Sequence, residues 1–424
     1  MLIRTAFTAA AVAGLATAAG AAAAGPHIFS TSRVQPAFGA RPFGVRPFAS
    51  SSKFYVFGGT LASAQWRTWL GPSAARGCYA ASGTGEAQAA FLTGGLGNTS
   101  ETITPPQTAD CVPNSKTMPF TATYPEVDFS AGDAPLSTAQ NNSYSSSSVF
   151  KKRGPARVAP VAGASLSEAF NTNGLPTNLT ISNAQLCGIW KGSITNWTAV
   201  TNQATGKPAS TSSLPISLVY RSDGSGSTFI HTAHLNAICS GGYLPVGTAF
   251  PTGAAGHAKL IPAVGSGGVA TAIAANKGAI GYVGPNNLIA GETSAAIENK
   301  SGQYFTPTAA ALAASYSSPT DTNAPPAYPN PIPGQQVDLY LTNPSKSGSY
   351  GETGFTYAFV YTCYPTSFGE TAANVMNFFD GTVYAPSSVT QKGLVNLGST
   401  SAEKTVIGGI HPGSTYNPGT RTCS

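Results

Sequence analysis

The stretch ISLVYRSDGSGSTFIHTAHL (216–235) joins an apolar strand pattern to an apolar helix pattern through a turn rich in glycine and serine. Glycine and serine are poor helix formers, so their presence where a helix begins indicates that the turn has a function beyond starting the helix. The first N–H groups of a helix are unpaired and carry a partial positive charge, which suits an anion. Arg221, Ser225 and Ser227 add donors, and Asp223 is placed to hold Arg221. The stretch predicts a site for a small tetrahedral oxyanion.

Other interpretations of this turn compete with an oxyanion site. A simple helix cap with a surface Arg221–Asp223 pair explains the same residues. A nucleotide-binding P-loop is disfavoured because the turn has no Gly-Lys-Ser/Thr sequence, and the Gly-x-Ser-x-Gly elbow of serine hydrolases is not met around Ser225.

Similar turns follow other predicted strands. KFYVFGG, from Lys53, leads into a predicted helix over 60–70; SGTG (82–85) precedes a helix near Glu86; and VDFSAGDAPLS (127–137) adds the carboxylate of Asp133. Strands that alternate with helices over this length predict two α/β lobes.

The composition favours an exported protein with a positive field that suits anions. Of 424 residues only 9% are charged, whereas glycine contributes 48 and proline 32 residues, and the net charge is +6. The basic residues form no stripe of the kind that binds nucleic acid, since Lys151–Arg153 is the only adjacent run. No nucleic-acid partner is therefore expected.

The N-terminus predicts export. Residues 1–24 resemble a cleaved secretory signal, with a retained membrane anchor as the alternative, and 25–52 form a Pro-rich arm. Export makes the six cysteines candidates for disulfides. Of the fifteen possible pairings we favour the sequential one, because each bond then closes a loop inside one lobe: Cys78–Cys111, Cys187–Cys239 and Cys363–Cys423.

Histidines and tryptophans offer further candidate features. His231 and His234 are spaced to share a metal ion, but no third ligand is evident nearby, so we predict packing within a helix and no metal site. The four tryptophans are predicted to pack inside the lobes. No cofactor is expected.

Several phrases resemble one known family. YRSDGSGST is similar to the RSDGSGT signature of the periplasmic phosphate-binding proteins of ABC phosphate uptake systems, with Ser227 in place of threonine. VDFSAGDAPLS is similar to their DFGASDAPLS segment, SGTG to a Gly-Ser-Ser-Gly turn, and GAIGYVGP to a GSIGY strand. FGGTL, AQLCGIWKGSITNW and HTAHLNAIC resemble the secreted DING branch more closely, although the chain lacks a DING start. The resemblance runs from about Lys53 to the C-terminus.

The resemblance implies an α/β, two-lobed periplasmic-binding-protein fold (Venus-flytrap, type II) with two hinge crossings, near 150–156 and 343–354. Lobe I is expected over 53–152 and 347–424, and lobe II over 153–346. Phosphate would be bound from one lobe and from the other by the following residues: Thr60, Leu61, Ser82 and Asp133; Arg221, Ser225, Gly226 and Ser227. Asp223 would support Arg221, and Thr84 could replace Ser82.

The implied function is high-affinity phosphate binding for uptake or extracellular scavenging by a periplasmic or secreted monomer, with arsenate as an analogue and an ABC permease as a possible partner. Two alternatives remain. One is a weak secreted phosphatase, although no nucleophile with a base or metal-activated water is evident. The other is a secreted adhesion or interaction protein on the same fold, which would show no affinity for phosphate.

Overall fold

The structure is a computed structural model that describes residues 54–71, 77–94, 127–243, 245–317, 340–364, 371–397, 406–413 and 415–424. The predicted signal (1–24), the arm (25–52) and Cys111 lie outside these ranges. Within them, no helix has the length and apolar character needed to cross a membrane.

The first of two main sheets has six strands. They are β1 (Phe54–Gly58), β2 (Gly77–Ala80), β3 (Phe129–Gly132), β4 (Arg157–Ser165), β15 (Thr353–Val360) and β17 (Leu394–Asn396). Their order in space is β17-β4-β15-β3-β1-β2. β1 is parallel to β2 and β3, whereas β15 is antiparallel to β3 and β4. The parallel strands end at one edge, where their following turns meet.

The second main sheet has five strands. They are β5 (Ser167–Asn171), β9 (Ser217–Arg221), β10 (Lys259–Ala263), β11 (Ala279–Val283) and β12 (Glu292–Ser294). The order is β10-β9-β11-β5-β12, with β9 parallel to both of its neighbours. This arrangement places the turn after β9 at a strand-end edge, opposite the corresponding edge of the first sheet.

The helices follow the strands much as the sequence predicts. They are α1 (Ser63–Leu70), α2 (Thr84–Thr93), α3 (Thr138–Ser145), α4 (Ser148–Arg153), α5 (Asn183–Trp190), α6 (Gly226–Ile238), α7 (Gly265–Ala275), α8 (Ala309–Tyr316) and α9 (Ala372–Phe378). A π turn, Phe379–Val383, extends α9. Short strand pairings complete the described fold: β6 (Thr180–Ile181), β7 (Thr201–Asn202), β8 (Lys207–Pro208), β13 (Ala296–Glu298), β14 (Tyr304–Phe305), β16 (Cys363–Tyr364), β18 (His411–Pro412), β19 (Tyr416–Asn417) and β20 (Thr422–Cys423).

Aromatic side chains fill both lobes. All four tryptophans are buried, as predicted. Trp66 packs edge-on against Trp69 at 5.0 Å between ring centroids, and Trp190 packs against Tyr282 at 5.6 Å. Such contacts combine a large apolar area with favourable ring geometry, so they anchor the helices to the sheets.

Two of the three predicted disulfides are confirmed. Cys187 bonds Cys239, and Cys363 bonds Cys423. The first ties α5 to the end of α6 and the second ties β16 to β20. The third pairing, Cys78–Cys111, stays a prediction because Cys111 lies outside the described residues.

The two-lobed α/β fold is confirmed, but one predicted boundary is placed too early. β4 falls within the range predicted for lobe II, yet it pairs with β15 and β17 in the first sheet. The chain changes sheets at Leu166, between β4 and β5, rather than near 150–156. The small apolar residues of β4 gave no sign of which sheet they would join, because a strand's partner is decided by distant residues. The remaining division into lobes stays a prediction.

Candidate functional site

The predicted strand–turn–helix unit is present in the second lobe. β9 ends at Arg221 and α6 begins at Gly226. The hydroxyl oxygen of Ser225 accepts hydrogen bonds from the N–H groups of Ser227 at 3.1 Å and Thr228 at 3.4 Å. Ser225 thus serves as the helix cap, which fixes the direction of the first turn of α6.

Arg221 is held as the sequence predicts. Its Nε donates to Asp223 Oδ1 at 2.7 Å, and its Nη2 donates to the second carboxylate oxygen. Burial alone would raise the pKa of Asp223, but the hydrogen bonds and charge of Arg221, with the Gly265 N–H, lower it below its ordinary 3.8. This two-point ion pair fixes the plane of a guanidinium that is only 2% exposed.

Arg221 also reaches the first lobe. Its Nη1 donates to Thr60 Oγ1 at 3.1 Å, and Thr60 Oγ1 lies 2.9 Å from Ser266 Oγ. Thr60 follows β1, whereas Ser266 lies in the first turn of α7. The predicted site residues Thr60 and Arg221 are therefore brought together across the lobes.

The other predicted residues of the first lobe lie around the ends of β2 and β3. The N–H of Asp133 donates to Thr84 Oγ1 at 3.1 Å, so Thr84 supports Asp133. Ser82 is buried at the end of β2. Leu61 is buried too, and its carbonyl oxygen accepts from Gln391 Nε2 at 2.7 Å.

The two lobes touch through glycine backbones. The N–H of Gly85 donates to the carbonyl of Gly224 at 2.9 Å. A Cβ atom on Gly85 would lie 2.9 Å from the Cα of Gly224, and one on Gly226 would lie 2.5 Å from the Cβ of Asp133. Only glycine permits this approach, which brings the turn of α6 onto Asp133.

Three buried polar atoms at these facing turns have no hydrogen-bond partner among the described residues: Ser82 Oγ, Asp133 Oδ1 and Ser227 Oγ. Burial raises the pKa of Asp133 to about 7, although a hydrogen bond with Thr356 and the charge of Arg221 oppose the rise. Buried polar groups normally find partners, so this set has unused capacity for a ligand. It offers hydroxyl donors and one carboxylate acceptor beside a guanidinium.

Sequence reasoning missed three residues of this region. Ser266 lies in GSGG (265–268), a further glycine- and serine-rich helix entrance, so the pattern used for the other turns would have found it. Tyr282, whose hydroxyl lies 2.8 Å from Thr228 Oγ1, is predicted from sequence only as part of a strand. Thr356, on β15, carries no local signal.

The two histidines need one correction. Both are fully buried in α6, so their predicted packing is confirmed. The expectation that no other ligand-type residue lies near His231 is wrong, since Glu168 Oε1 is 3.2 Å and Glu352 Oε1 is 2.8 Å from its Nδ1. These glutamates are 63 residues before and 121 residues after His231, so only the fold could bring them together.

Comparison with known proteins agrees with this architecture. A family model described as a PBP superfamily domain matches residues 73–379. Alkaline phosphatase L of Pseudomonas aeruginosa is 28% identical over 298 residues, 68% of each chain. The phosphate-binding protein PstS of Xylella fastidiosa is 26% identical over 236 residues, which cover 54% of this chain and 58% of that protein.

A solved structure gives the same result in three dimensions. PfluDING, a high-affinity periplasmic phosphate-binding protein solved with bound phosphate at pH 8.5, superimposes with a TM-score of 0.61 at 25% identity, covering 84% of this chain and 92% of that one. The resemblance drawn from the sequence motifs is confirmed by these matches. With a family model over most of its length and this two-sheet architecture, the chain belongs to the PBP superfamily, the periplasmic binding proteins.

Proposed function

We propose that the protein binds inorganic phosphate with high affinity between its two lobes. The observation that carries the proposal is the set of buried, unpartnered atoms Ser82 Oγ, Asp133 Oδ1 and Ser227 Oγ at the facing turns. A tetrahedral oxyanion that carries a proton would satisfy all three atoms, since it accepts from hydroxyls and donates to a carboxylate.

Arg221 would supply the positive charge of this site. Asp223 fixes the orientation of its guanidinium, which also contacts Thr60 of the other lobe. A preorganised guanidinium loses little freedom when it binds an oxyanion. The N-terminal end of α6 adds partial positive charge beside this guanidinium.

Asp133 would select phosphate over sulfate. Phosphate near neutral pH retains a proton, whereas sulfate has none to donate. A buried carboxylate therefore accepts a hydrogen bond from phosphate but faces only lone pairs of sulfate. Arsenate has the same shape and proton as phosphate, so it would bind in the same manner.

The biological role we infer is capture of phosphate outside the cytoplasmic membrane by a monomer, followed by delivery to an ABC permease or by scavenging. The relatives named above include a PstS protein and a periplasmic phosphate-binding protein. Export would follow from the predicted signal in residues 1–24.

A weak phosphatase is the second candidate because one relative is named an alkaline phosphatase. Hydrolysis of a phosphate ester requires an activated nucleophile. Within the described ranges, neither Ser82 Oγ nor Ser227 Oγ contacts a base that would activate it. Binding of phosphate is the function that these contacts support better.

Isothermal titration of the mature protein with phosphate, arsenate and sulfate tests the proposal. We expect sub-millimolar phosphate binding, similar arsenate binding and much weaker sulfate binding. Arg221→Lys should weaken phosphate binding at least tenfold, because lysine cannot keep the two-point contact with Asp223. Arg157→Lys is the matched control, since Arg157, at the start of β4, bonds Thr362 instead.

The same preparation separates the alternatives. No heat with phosphate would overturn the proposal and favour an adhesion or interaction role. Release of phosphate from an ester at enzymatic rates, lost in Arg221→Lys, would favour the phosphatase.

A further inference from the structure

The cluster of Glu168, His231 and Glu352 lies outside the residues proposed to touch phosphate. All three side chains are fully buried. The Nδ1 of His231 faces Glu352 Oε1 at 2.8 Å and Glu168 Oε1 at 3.2 Å. One ring nitrogen carries one hydrogen at most, so it cannot satisfy two carboxylate oxygens at once. The stability of the cluster therefore depends on how many protons its three side chains hold.

The cluster sits where the chain passes between the sheets. Glu168 is in β5, directly after the change of sheet at Leu166, and Glu352 immediately precedes β15 of the first sheet. The N–H of Leu166 donates to the carbonyl of Glu352 at 3.2 Å, so the two crossings run side by side. His231 belongs to α6 of the second lobe. The contact between His231 and Glu352 therefore spans the hinge.

The cluster is also connected to the proposed phosphate site. The ring of His231 stacks on Tyr282 with 4.2 Å between centroids. The hydroxyl of Tyr282 accepts from the N–H of Arg221 at 3.1 Å and lies 2.8 Å from Thr228 Oγ1. The same helix, α6, begins at the Ser225 turn. A change at His231 thus reaches both the helix and the arginine.

Two groups of the cluster have strongly shifted pKa values. Burial lowers the pKa of His231, but Glu168 and Glu352 outweigh it and raise the pKa to about 9. Burial and the charge of Glu168 raise the pKa of Glu352 to about 7. The other titratable groups facing the cluster are neutral near pH 7, because burial lowers the pKa of His234 to about 3 and raises the pKa values of Tyr282 and Tyr350 above their ordinary range.

We propose that His231 and Glu352 form a proton-dependent contact across the hinge that sets how tightly the closed cleft holds phosphate. Opening the hinge separates Glu352 from His231 and admits water to both. Closing it returns both groups to the buried cluster, which takes up protons. His231 and Glu352 are thus positioning residues that act through Tyr282 and α6. The inference rests on the proposed phosphate-binding function.

The sign of the effect follows from linkage. Both pKa values are higher in the buried cluster than in water, where a glutamate titrates near 4.5 and a histidine near 6.5. The closed form therefore binds more protons, and its advantage is fully present at low pH. Loss of the proton from Glu352 removes part of this advantage as pH rises from about 5 to 7, and loss of the proton from His231 removes the rest from about 7 to 9.

A metal ion is the competing occupant of the cluster, since its ligand atoms lie within 4.8 Å of one another. Metal-bound histidines usually anchor their second ring nitrogen. The Nε2 of His231 has no partner among the described residues. A second ring proton would be unpaired there too, so the choice depends on distance. The 2.8 Å between His231 Nδ1 and Glu352 Oε1 suits a hydrogen bond, whereas two ligands of one tetrahedral zinc ion lie about 3.3 Å apart. We therefore favour protons, and metal analysis of the purified protein is part of the test.

The test compares wild-type protein with Glu352→Gln by phosphate titration calorimetry between pH 5 and 9, in buffers of different ionisation heat. Phosphate and Asp133 titrate in both proteins, so the ratio of affinities isolates the cluster. We expect wild-type affinity to fall relative to the variant by up to about tenfold per pH unit between pH 5 and 7, with uptake of up to about one extra proton. Glu292→Gln is the control. Burial also raises the pKa of Glu292, but this residue lies on β12 and is not a member of the cluster.

A second measurement needs no variant. The protein has five histidines, so NMR titration of their Cε1–H signals can follow His231 with and without phosphate. We expect its pKa to be higher when phosphate is bound. Equal pH slopes in wild type and Glu352→Gln, an unshifted histidine pKa, or stoichiometric zinc or manganese after dialysis would overturn the inference. No phosphate binding by wild type would instead overturn the proposed function.

Discussion

Replacing Asp133 with asparagine should make the ligand-free protein more stable at neutral pH while making it less selective. Asp133 is 1% exposed, and its Oδ1 has no partner within the described part of the chain. Burial raises its pKa from 3.8 to about 7. The native state therefore favours the protonated carboxyl, and this contribution to stability is present below pH 3.8 and lost as pH rises through 7.

The size of this effect follows from the pKa. At about 1.4 kcal/mol per pH unit, the shift corresponds to an upper bound of about 4 kcal/mol at pH 8. Water that enters the cleft reduces this value, so we expect Asp133→Asn to raise the free energy of unfolding by roughly 1–4 kcal/mol at pH 8. At pH 4 the difference should be small. Asp380→Asn, in the turn after α9, is the control.

The loss in selectivity has its own magnitude. A hydrogen bond to a charged group is worth about 1.5–3 kcal/mol, and an amide can donate to sulfate where a carboxylate repels it. The ratio of phosphate to sulfate affinity should fall by about tenfold or more. Urea unfolding at pH 4 and 8 measures the first effect, and calorimetry measures the second. Equal unfolding free energies and equal phosphate-to-sulfate ratios in wild type and Asp133→Asn would contradict both effects.

Two further substitutions test the closed cleft and the disulfide framework. Gly85→Ala should keep or slightly raise stability, because alanine favours a helix. It should lower phosphate affinity at least tenfold, since its Cβ would lie 2.9 Å from the Gly224 Cα across the cleft. Calorimetry measures this effect, and Gly253→Ala, where a Cβ meets nothing within 4 Å, is the control. Replacing Cys187 and Cys239 with serine removes a disulfide that spans a separation of 52 residues. The free energy of unfolding should fall by about 4 kcal/mol, because the unfolded chain gains loop entropy. A decrease under about 1 kcal/mol in urea unfolding would contradict this.

The candidate site shows which residues a local sequence pattern can identify. Arg221, Asp223 and the Ser225–Ser227 turn were assigned from sequence because a strand end, a glycine turn and a helix start are all features of neighbouring residues. Asp133 was found by the same logic at the end of β3. Ser266 obeys the same rule, since it lies at a glycine-rich helix start. Thr356 lies inside a strand, where nothing local distinguishes it from a core residue.

The order of residues alone predicts the alternation of strands and helices, the donor turns at their junctions and the tendency of the cysteines to pair. These properties depend on backbone propensity, side-chain chemistry and short spacing along the chain. Three other features come from the three-dimensional fold: β4 joins the first sheet, glycines of facing turns touch, and Glu168 and Glu352 enclose His231. Partner choice and burial are set by residues far apart in sequence, and burial is what turns an ordinary carboxyl into one that still holds its proton near neutral pH.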